Sequence, residues 1–502
     1  MIRASKSYKL LCGAMVLFFA LLLVYAETLG FTGDEGFHLL TARLIQAGER
    51  PYIDFLFPQA PLNAYVNAGW MAMFGASWRS VHVLDAILTS LGIFLIADFI
   101  FVRFPVPRWR LPAALAAICA AGLNQIVVEY GPLAQAYGMC IFATAAAFRL
   151  CIYAIRKPQW WWAILPGLFA GIATASSLLT ALVGPILLVW LLFYNAAGNR
   201  WAKGVALSAA AVVPFAPVFR LLAEGPRQTI FNLLQYHLLY RRLYWPETTQ
   251  HDLEVMTSWI DSGQALLLIL FAAFGVVFLM RLAKPGADRE LEWTPNLKAE
   301  LYLSALLAAG MGLEVSVAHP TLPRYFVLSV PFTAVIAVVG LYVLASRFTS
   351  SPVVPVIIFA ALSILGLGKS LYERNQDVRT WSDYEAMAKE VDKVTPPKAP
   401  VYATELIYFL SGRRPPSGME FYYSHKVPLS PADQVLYHII TEDDLKARLK
   451  NGFFATAVSC DDDEVKELTE YYTKTSVVDE DCTVLWDPKA KPAAPVTAPA
   501  VP

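Results

Sequence analysis

The sequence predicts a polytopic α-helical membrane protein of about 11 spans, followed by a small α/β domain. Of its 502 residues, 57% are hydrophobic, against roughly 45–50% in a typical soluble protein. The excess lies in blocks of about 17–25 residues, each long enough to cross a hydrocarbon core about 30 Å thick. After residue 371 the hydropathy falls, and helix and strand patterns alternate as in an α/β domain. The 40 basic and 40 acidic residues cancel, so net charge gives no indication of a nucleic-acid partner.

The predicted spans are 9–29, 80–101, 111–127, 132–153, 160–175, 178–195, 204–222, 263–282, 300–318, 325–346 and 353–371. The first is interpreted as a retained span, because no A-x-A cleavage site follows its apolar run. Lys and Arg collect in alternate loops, which predicts a cytoplasmic N-terminus. The outer loops 31–78 and 223–260, the turn 319–325 and the C-terminal domain are then expected on the outer face of the plasma membrane.

The chain divides into a transmembrane domain (1–371), an extracytoplasmic α/β domain (372–487) and a Pro/Ala-rich tail (488–502) that is predicted to be disordered. The α/β domain is expected to contain helices at 381–394, 441–450 and 461–472, and strands at 400–404, 453–460 and 482–486. Cys460 and Cys482 are the only cysteines outside the spans. In an oxidising compartment they would form a disulfide, and the alternative is two unpaired thiols.

The first outer loop carries adjacent acids, Asp34 and Glu35, at the start of a short amphipathic pattern. Its apolar positions are Phe37, Leu40, Leu44 and Ile45, and Gly48 is a plausible helix stop. A structural role is possible for the acids, because Thr32 and Glu35 have the spacing of a capping box. The other hypothesis is that this pair performs chemistry at the membrane surface.

Polar groups in three other outer loops could converge with these acids. They are Glu129 with Tyr130, His319 with Arg324 and Tyr325, and an aromatic-rich segment containing Arg241 and Arg242. That segment suits either an interfacial anchor or contact with a lipid phosphate. A carboxylate can act as general base on a hydroxyl, and an Arg can hold a departing phosphate. Together they are what sugar transfer from a lipid phosphate requires, and the sequence has no nucleotide-binding phosphate loop and no metal-type Cys/His spacing.

Two stretches resemble a known family. The first outer loop has the pattern G-D-E-x-x-H-x-x-x-A-R-x-x-x-x-G-x-x-P-Y-x-D, followed by P-x-A-P-L, and a later turn has the sequence H-P-T-L-P-R-Y-F-V-L-S-V-P. Both are similar to motifs of the C-superfamily (GT-C) membrane glycosyltransferases, in the branch of the protein O-mannosyltransferases and aminoarabinose transferases. The resemblance covers most of residues 1–370 as a topology but only these stretches as motifs.

The resemblance implies an inverting glycosyltransferase that uses a polyprenyl-phosphate sugar donor at the outer face of the membrane. It implies a protein, lipid or glycan acceptor and leaves a divalent metal possible. Asp34 matches the family's catalytic acid and Glu35 its neighbour, while Arg324 and Tyr325 match the late-loop R-Y. The other substrate-binding candidates are His319, His38, Asp54, Gln59, Glu129, Arg241 and Arg242. Gln59 departs from the Lys or His common in relatives, and Glu129 would replace a carboxylate expected at the position of Tyr130.

Two other functions compete with this interpretation. A transporter or flippase of a lipid-linked saccharide would have charged residues in mid-span and pseudo-symmetric halves. The sequence analysis instead places the charges in loops. A non-catalytic scaffold would leave the first-loop motif unexplained.

Overall fold

The computed structural model describes residues 5–240, 248–280, 295–374, 379–422, 424, 427, 429–479 and 482–490. A bundle of apolar helices forms most of it, and a small sheet domain sits on one end. The predicted disordered tail lies almost wholly outside the described residues, as does the pair Arg241 and Arg242.

The helices of the bundle and its loops are α1 (Lys6–Thr28), α2 (Glu35–Gln46), α3 (Leu62–Phe74), α4 (Trp78–Arg103), α5 (Arg110–Ala117), α6 (Gln125–Tyr130), α7 (Tyr137–Ala154), α8 (Ile164–Ser176), α9 (Val183–Tyr194), α10 (Arg200–Val212), α11 (Ala216–Glu224), α12 (Pro226–Ile230), α13 (Thr248–Asp261), α14 (Gly263–Leu279), α15 (Pro295–Ser316), α16 (Val330–Ala345) and α17 (Val353–Arg374). Helix α5 continues as a π-helix over Ile118–Gly122, and α12 as a π-helix over Phe231–Tyr240.

Each predicted span overlaps apolar helix in the described residues, but the count of 11 is not confirmed. In the described part of the chain, six helices are long and apolar enough to cross a membrane, or seven if the bent pair α13–α14 is one span. The span predicted at 132–153 begins only at Tyr137. The residues before it form a loop, in which Ala134 donates its backbone N–H to the Glu35 carboxylate.

Charged residues inside the bundle correct the sequence analysis, which placed the charges in loops. Asp85 and Asp98 both lie on α4 and are buried. Asp98 is neutralised by Arg149 at 2.7 Å and also accepts a hydrogen bond from the Tyr8 hydroxyl at 3.0 Å. Glu300, on α15, is buried between Arg103 and Arg156. The mean hydropathy of a long helix stays high when only one or two of its residues are charged. Single buried charges therefore do not interrupt an apolar pattern in the sequence.

The amphipathic helix predicted after Asp34 is confirmed as α2. Its apolar positions Phe37, Leu40 and Leu44 are buried in one cluster with residues of the C-terminal domain. Gly48 ends the helix with φ of 91°, where a side chain would be strained, and Glu49 N–H bonds to the Leu44 carbonyl.

The C-terminal domain contains a four-stranded sheet with helices around it. Its elements are α18 (Trp381–Val394), β1 (Val401–Tyr402), α19 (Glu405–Ser411), α20 (Pro431–Tyr437), α21 (Glu442–Lys450), β2 (Thr456–Ser459), α22 (Asp462–Thr469), β3 (Tyr472–Asp479) and β4 (Cys482–Pro488). The strand order is β1-β2-β4-β3, with β1 parallel to β2 and the other pairs antiparallel.

The secondary structure of this domain differs from the prediction at several elements. Strand β3 and helices α19 and α20 were not anticipated, and the helix expected over 461–472 ends at Thr469. The disulfide between Cys460 and Cys482 is present, so the alternative of unpaired thiols is wrong. The bond joins the end of β2 to the start of β4.

A close helix crossing docks this domain onto the bundle. Gly36 on α2 faces Leu406 on α19, and a β-carbon built on Gly36 would lie 2.7 Å from the Leu406 backbone nitrogen. Trp381 of α18 donates its indole N–H to the Gly30 carbonyl at 3.0 Å and stacks on Trp78 of α4, with ring centroids 4.5 Å apart. The domain therefore rests directly on the segment that carries Asp34 and Glu35.

Substituting Gly36→Ala should destabilise the protein by about 1–3 kcal/mol, since the added methyl overpacks against backbone that cannot move alone. Thermal unfolding in detergent measures the effect. Gly69→Ala is the matched control, because its β-carbon would meet nothing within 4 Å. Equal melting temperatures for the two variants would contradict the close packing of α2 on α19.

Candidate active site

The centre of the site is an ion pair between the first loop and the late loop. The carboxylate of Asp34, just before α2, contacts the guanidinium of Arg324, which lies in a 3₁₀ turn over Pro323–Leu328. The two side chains are 41% and 24% exposed, so the pair is accessible from solvent. Both residues are among those predicted from the sequence, and the structure brings them into direct contact.

Two cavities meet at this pair. The domain-side cavity, of about 690 Å³, lies between the bundle and the C-terminal domain. The helix-side cavity, of about 310 Å³, runs between the helices and has an aliphatic wall that includes Leu178, Leu234 and Val317, together with polar groups such as Glu314. Six residues line both cavities: Asp34, His38, Gln59, His237, Arg324 and Tyr325. All but His237 are residues that the sequence analysis selected.

His237 and Gln59 are placed by contacts between the first loop and the π-helix after α12. His237 Nε2 lies 2.9 Å from the Pro58 carbonyl, and Asn232 accepts a hydrogen bond from Phe57 N–H at 2.8 Å. The Tyr52 hydroxyl donates to the Gln59 carbonyl at 2.6 Å. These contacts fix the P-x-A-P-L turn at the place where the two cavities meet. His237 carried no motif that could have identified it.

His38 lies one helical turn after Asp34, but no hydrogen bond between these two side chains is found in the described part of the chain. Its ring is partly exposed and lines both cavities. Desolvation lowers the pKa of His38 to about 4, although the negative charge of Asp34 opposes the shift. His38 is therefore a neutral imidazole near pH 7 and contributes no positive charge for a phosphate.

Glu35, the second acid that the resemblance placed at the catalytic position, does not line either cavity. Its side chain is fully buried and accepts hydrogen bonds from Thr32 N–H at 3.1 Å and Ala134 N–H at 3.0 Å. His82 Nε2 lies 2.5 Å from the same carboxylate, and His82 Nδ1 donates to the Ala26 carbonyl. Half of the expected capping box forms, the bond from Thr32 N–H to Glu35, whereas the N-cap of α2 is Asp34, whose side chain makes no capping hydrogen bond. Glu35 thus joins the first loop, α4 and the loop before α7.

Two further candidates lie away from the junction. Asp54 is held by the Arg50 guanidinium at 2.8 Å and lines neither cavity. Glu129 is buried on α6, where it accepts a hydrogen bond from Gln125 at 3.0 Å. Neither residue lines either of these two cavities. Arg241 and Arg242 lie outside the described residues.

His319 lines the helix-side cavity, and its ring is held by an acid that was not predicted from the sequence. Its Nδ1 lies 2.6 Å from Asp252 Oδ2, and Asp252 Oδ1 accepts the Thr321 N–H at 2.7 Å. Asp252 is on α13, in the predicted outer loop 223–260. Nothing in the sequence marks this acid, because an Asp within a polar helix is usually solvated.

The C-terminal domain contributes Glu405 to the domain-side cavity. One of its carboxylate oxygens accepts the Tyr422 N–H at 2.6 Å. Burial raises the pKa of Glu405 to about 7, and the nearby negative charge of Asp34 acts in the same direction, against the hydrogen bond from Tyr422. Among the residues that the structure describes, no group of three or more His, Cys, Asp or Glu could hold a metal ion.

Substituting Glu35→Gln should lower stability by about 3 kcal/mol, because the amide places a donor against groups that now donate to a buried carboxylate. Thermal unfolding in detergent measures this loss. Asp433→Asn is the control, since Asp433 forms an exposed ion pair with Arg227, and such pairs contribute little. A Glu35→Gln variant that melts with the wild type would refute the structural role.

Glu405 should make stability depend on pH. Its pKa in the folded protein is above the ordinary 4.5, so folding favours the protonated form and stability falls as the pH rises from about 4.5 to about 7. The loss amounts to roughly 3 kcal/mol. Glu405→Gln should reduce the fall in melting temperature between pH 5 and pH 8 but not remove it, because burial raises the pKa of Glu420 to about 7 as well. A pH profile identical to wild type would contradict the burial of this carboxyl.

No family model and no curated protein matches the sequence. Solved structures do match. The crystal structure of ArnT from Cupriavidus metallidurans bound to undecaprenyl phosphate has a TM-score of 0.66 at 14% identity, covering 97% of this chain and 99% of that chain. The apo state of the same protein matches with a TM-score of 0.66 at 15% identity, over 94% and 98% of the two chains.

A third match is the Archaeoglobus fulgidus oligosaccharyltransferase tethered with an acceptor peptide. Its TM-score is 0.54 at 12% identity, over 94% of this chain and 73% of that chain. These likenesses extend through both the helix bundle and the C-terminal domain. The chain therefore shares the fold of these structures, as the resemblance of its two motifs led us to expect.

Proposed function

We propose that this protein transfers a sugar from a polyprenyl-phosphate donor to an acceptor hydroxyl at the outer face of the plasma membrane, with inversion. The observation that carries the proposal is the ion pair of Asp34 and Arg324 at the junction of the two cavities. It sets a carboxylate beside a guanidinium at the one place that both cavities share. The two groups are those that the reaction needs at its reacting centre.

The helix-side cavity suits the donor. Aliphatic groups line it, and Arg324, His319 and Tyr325 lie along it. An isoprenoid chain would lie against the aliphatic wall and hold its phosphate at Arg324, where a guanidinium can bind two phosphate oxygens at once. The similarity to ArnT, whose structure contains undecaprenyl phosphate, supports this orientation.

The domain-side cavity suits the acceptor, which is a protein, lipid or glycan. The acceptor hydroxyl gives its proton to the Asp34 carboxylate, and its oxygen forms a bond to the anomeric carbon. The bond from that carbon to the phosphate oxygen breaks, and polyprenyl phosphate leaves with the electron pair. Arg324 stabilises the charge that develops on the phosphate. Because the phosphate competes with Asp34 for Arg324, donor binding also releases the carboxylate to accept the proton.

The proposed orientation has a cytoplasmic N-terminus and an extracytoplasmic C-terminal domain. The first loop, the π-helix after α12, the late loop and the C-terminal domain all line one cavity, so they lie on one side of the bundle. This is the side that the Lys and Arg distribution assigns to the outside. The disulfide between Cys460 and Cys482 fits an oxidising compartment there.

Substituting Asp34→Asn should reduce transfer about 10²–10⁴-fold, the usual contribution of a general base. Release of polyprenyl phosphate from a panel of labelled polyprenyl-phosphate sugars measures it in purified protein. Asp54→Asn is the matched control, because Asp54 is a carboxylate of the same loop held away from the junction. Full transfer by a folded Asp34→Asn protein would refute the role of Asp34. A transporter or flippase would move the donor across a vesicle membrane without releasing polyprenyl phosphate.

A further inference from the structure

The contact between α13 and the late loop has no role in the reaction described above. Asp252 makes two short contacts with that loop, one to the His319 ring at 2.6 Å and one to the Thr321 backbone N–H at 2.7 Å. Asp252 is only 8% exposed and Thr321 is fully buried. A carboxylate at that depth is costly to desolvate unless it is fully engaged. Its two oxygens each hold a different group of the loop that leads to Arg324.

His319 presents its other nitrogen away from Asp252. The ring lines the helix-side cavity together with Arg324 and Tyr325, and its side chain is 21% exposed. Among the described residues, Nε2 of His319 has no hydrogen-bond partner in the protein. A carboxylate on Nδ1 fixes the orientation of an imidazole and stabilises its protonated form. Such a ring can donate a hydrogen bond from Nε2 to an anion.

We propose that Asp252 is a positioning residue that orients His319, so that the imidazole binds the phosphate of the lipid donor beside Arg324. This inference rests on the proposed function and identifies the group that His319 recognises. With Asp252 on one nitrogen and a phosphate oxygen on the other, the ring carries both protons and a positive charge. The loop then supplies two cations to the leaving phosphate, one from a fixed imidazole and one from Arg324.

Equilibrium binding of radiolabelled undecaprenyl phosphate to the full-length protein in detergent tests the inference. His319→Asn keeps an amide near the position of Nδ1 for Asp252 but removes Nε2, and Asp252→Asn removes the charge that orients the ring. Each should raise the Kd about tenfold, the loss expected for one charge-assisted hydrogen bond. The double variant should be no weaker than either single variant, because both substitutions break the same interaction.

Three controls separate orientation from general damage. Asp252→Glu should recover most of the affinity. Glu254→Gln removes an exposed carboxylate of the same helix, one that accepts a hydrogen bond from Gln250, and should leave binding unchanged. Binding of undecaprenol, which lacks the phosphate, should be equal in wild type and all variants, and melting temperatures identify any variant that fails to fold.

The outcomes are distinct. Weaker phosphate binding by Asp252→Asn with normal binding by His319→Asn would overturn the inference, since Asp252 would then act on the loop alone. Additive losses in the double variant would overturn it for the same reason. Normal binding by both variants would overturn the inference and leave the proposed function intact, whereas a wild-type protein that binds no undecaprenyl phosphate would overturn both.

Discussion

The buried carboxylate of Glu35 is the interaction on which the geometry of the site depends. It accepts hydrogen bonds from two backbone N–H groups in different segments and lies against the His82 ring. Those contacts tie the start of α2 to α4 and to the loop before α7. Asp34 is the preceding residue, so its position relative to the bundle follows from this anchor. A pair of adjacent acids therefore divides into one that holds the backbone and one that faces the cavities.

The late loop, which carries His319 and Arg324, is anchored in a similar way. A buried acid, Asp252, holds the loop through a ring nitrogen and a backbone N–H, and the partly exposed groups His319 and Arg324 face the helix-side cavity. In both loops a buried carboxylate fixes the backbone next to a group that faces the cavity. Preorganised groups of this kind stabilise developing charge without the cost of rearranging during the reaction.

The sequence was sufficient for features that depend on local pattern. The 3.6-residue period predicted α2, and apolar runs predicted the helices of the bundle. The two motifs indicated that Asp34 and Arg324 lie close together. The features that could not be predicted from the sequence depend on contacts between distant segments. His82 lies within an apolar run and looks like an incidental polar residue until Glu35 is placed beside it. Strand β3 follows a helical pattern without a break, and only its pairing with β4 makes it a strand.

The contact of Gly36 with α19 has a consequence for how this architecture can vary. The apolar face of α2 is covered by residues of the C-terminal domain, including Ile407 and Val458. A truncated chain that ended after α17 would leave that face bare next to Asp34. The domain is thus not an interchangeable module added to a self-sufficient bundle. Any exchange of this region between relatives has to carry α2 with it.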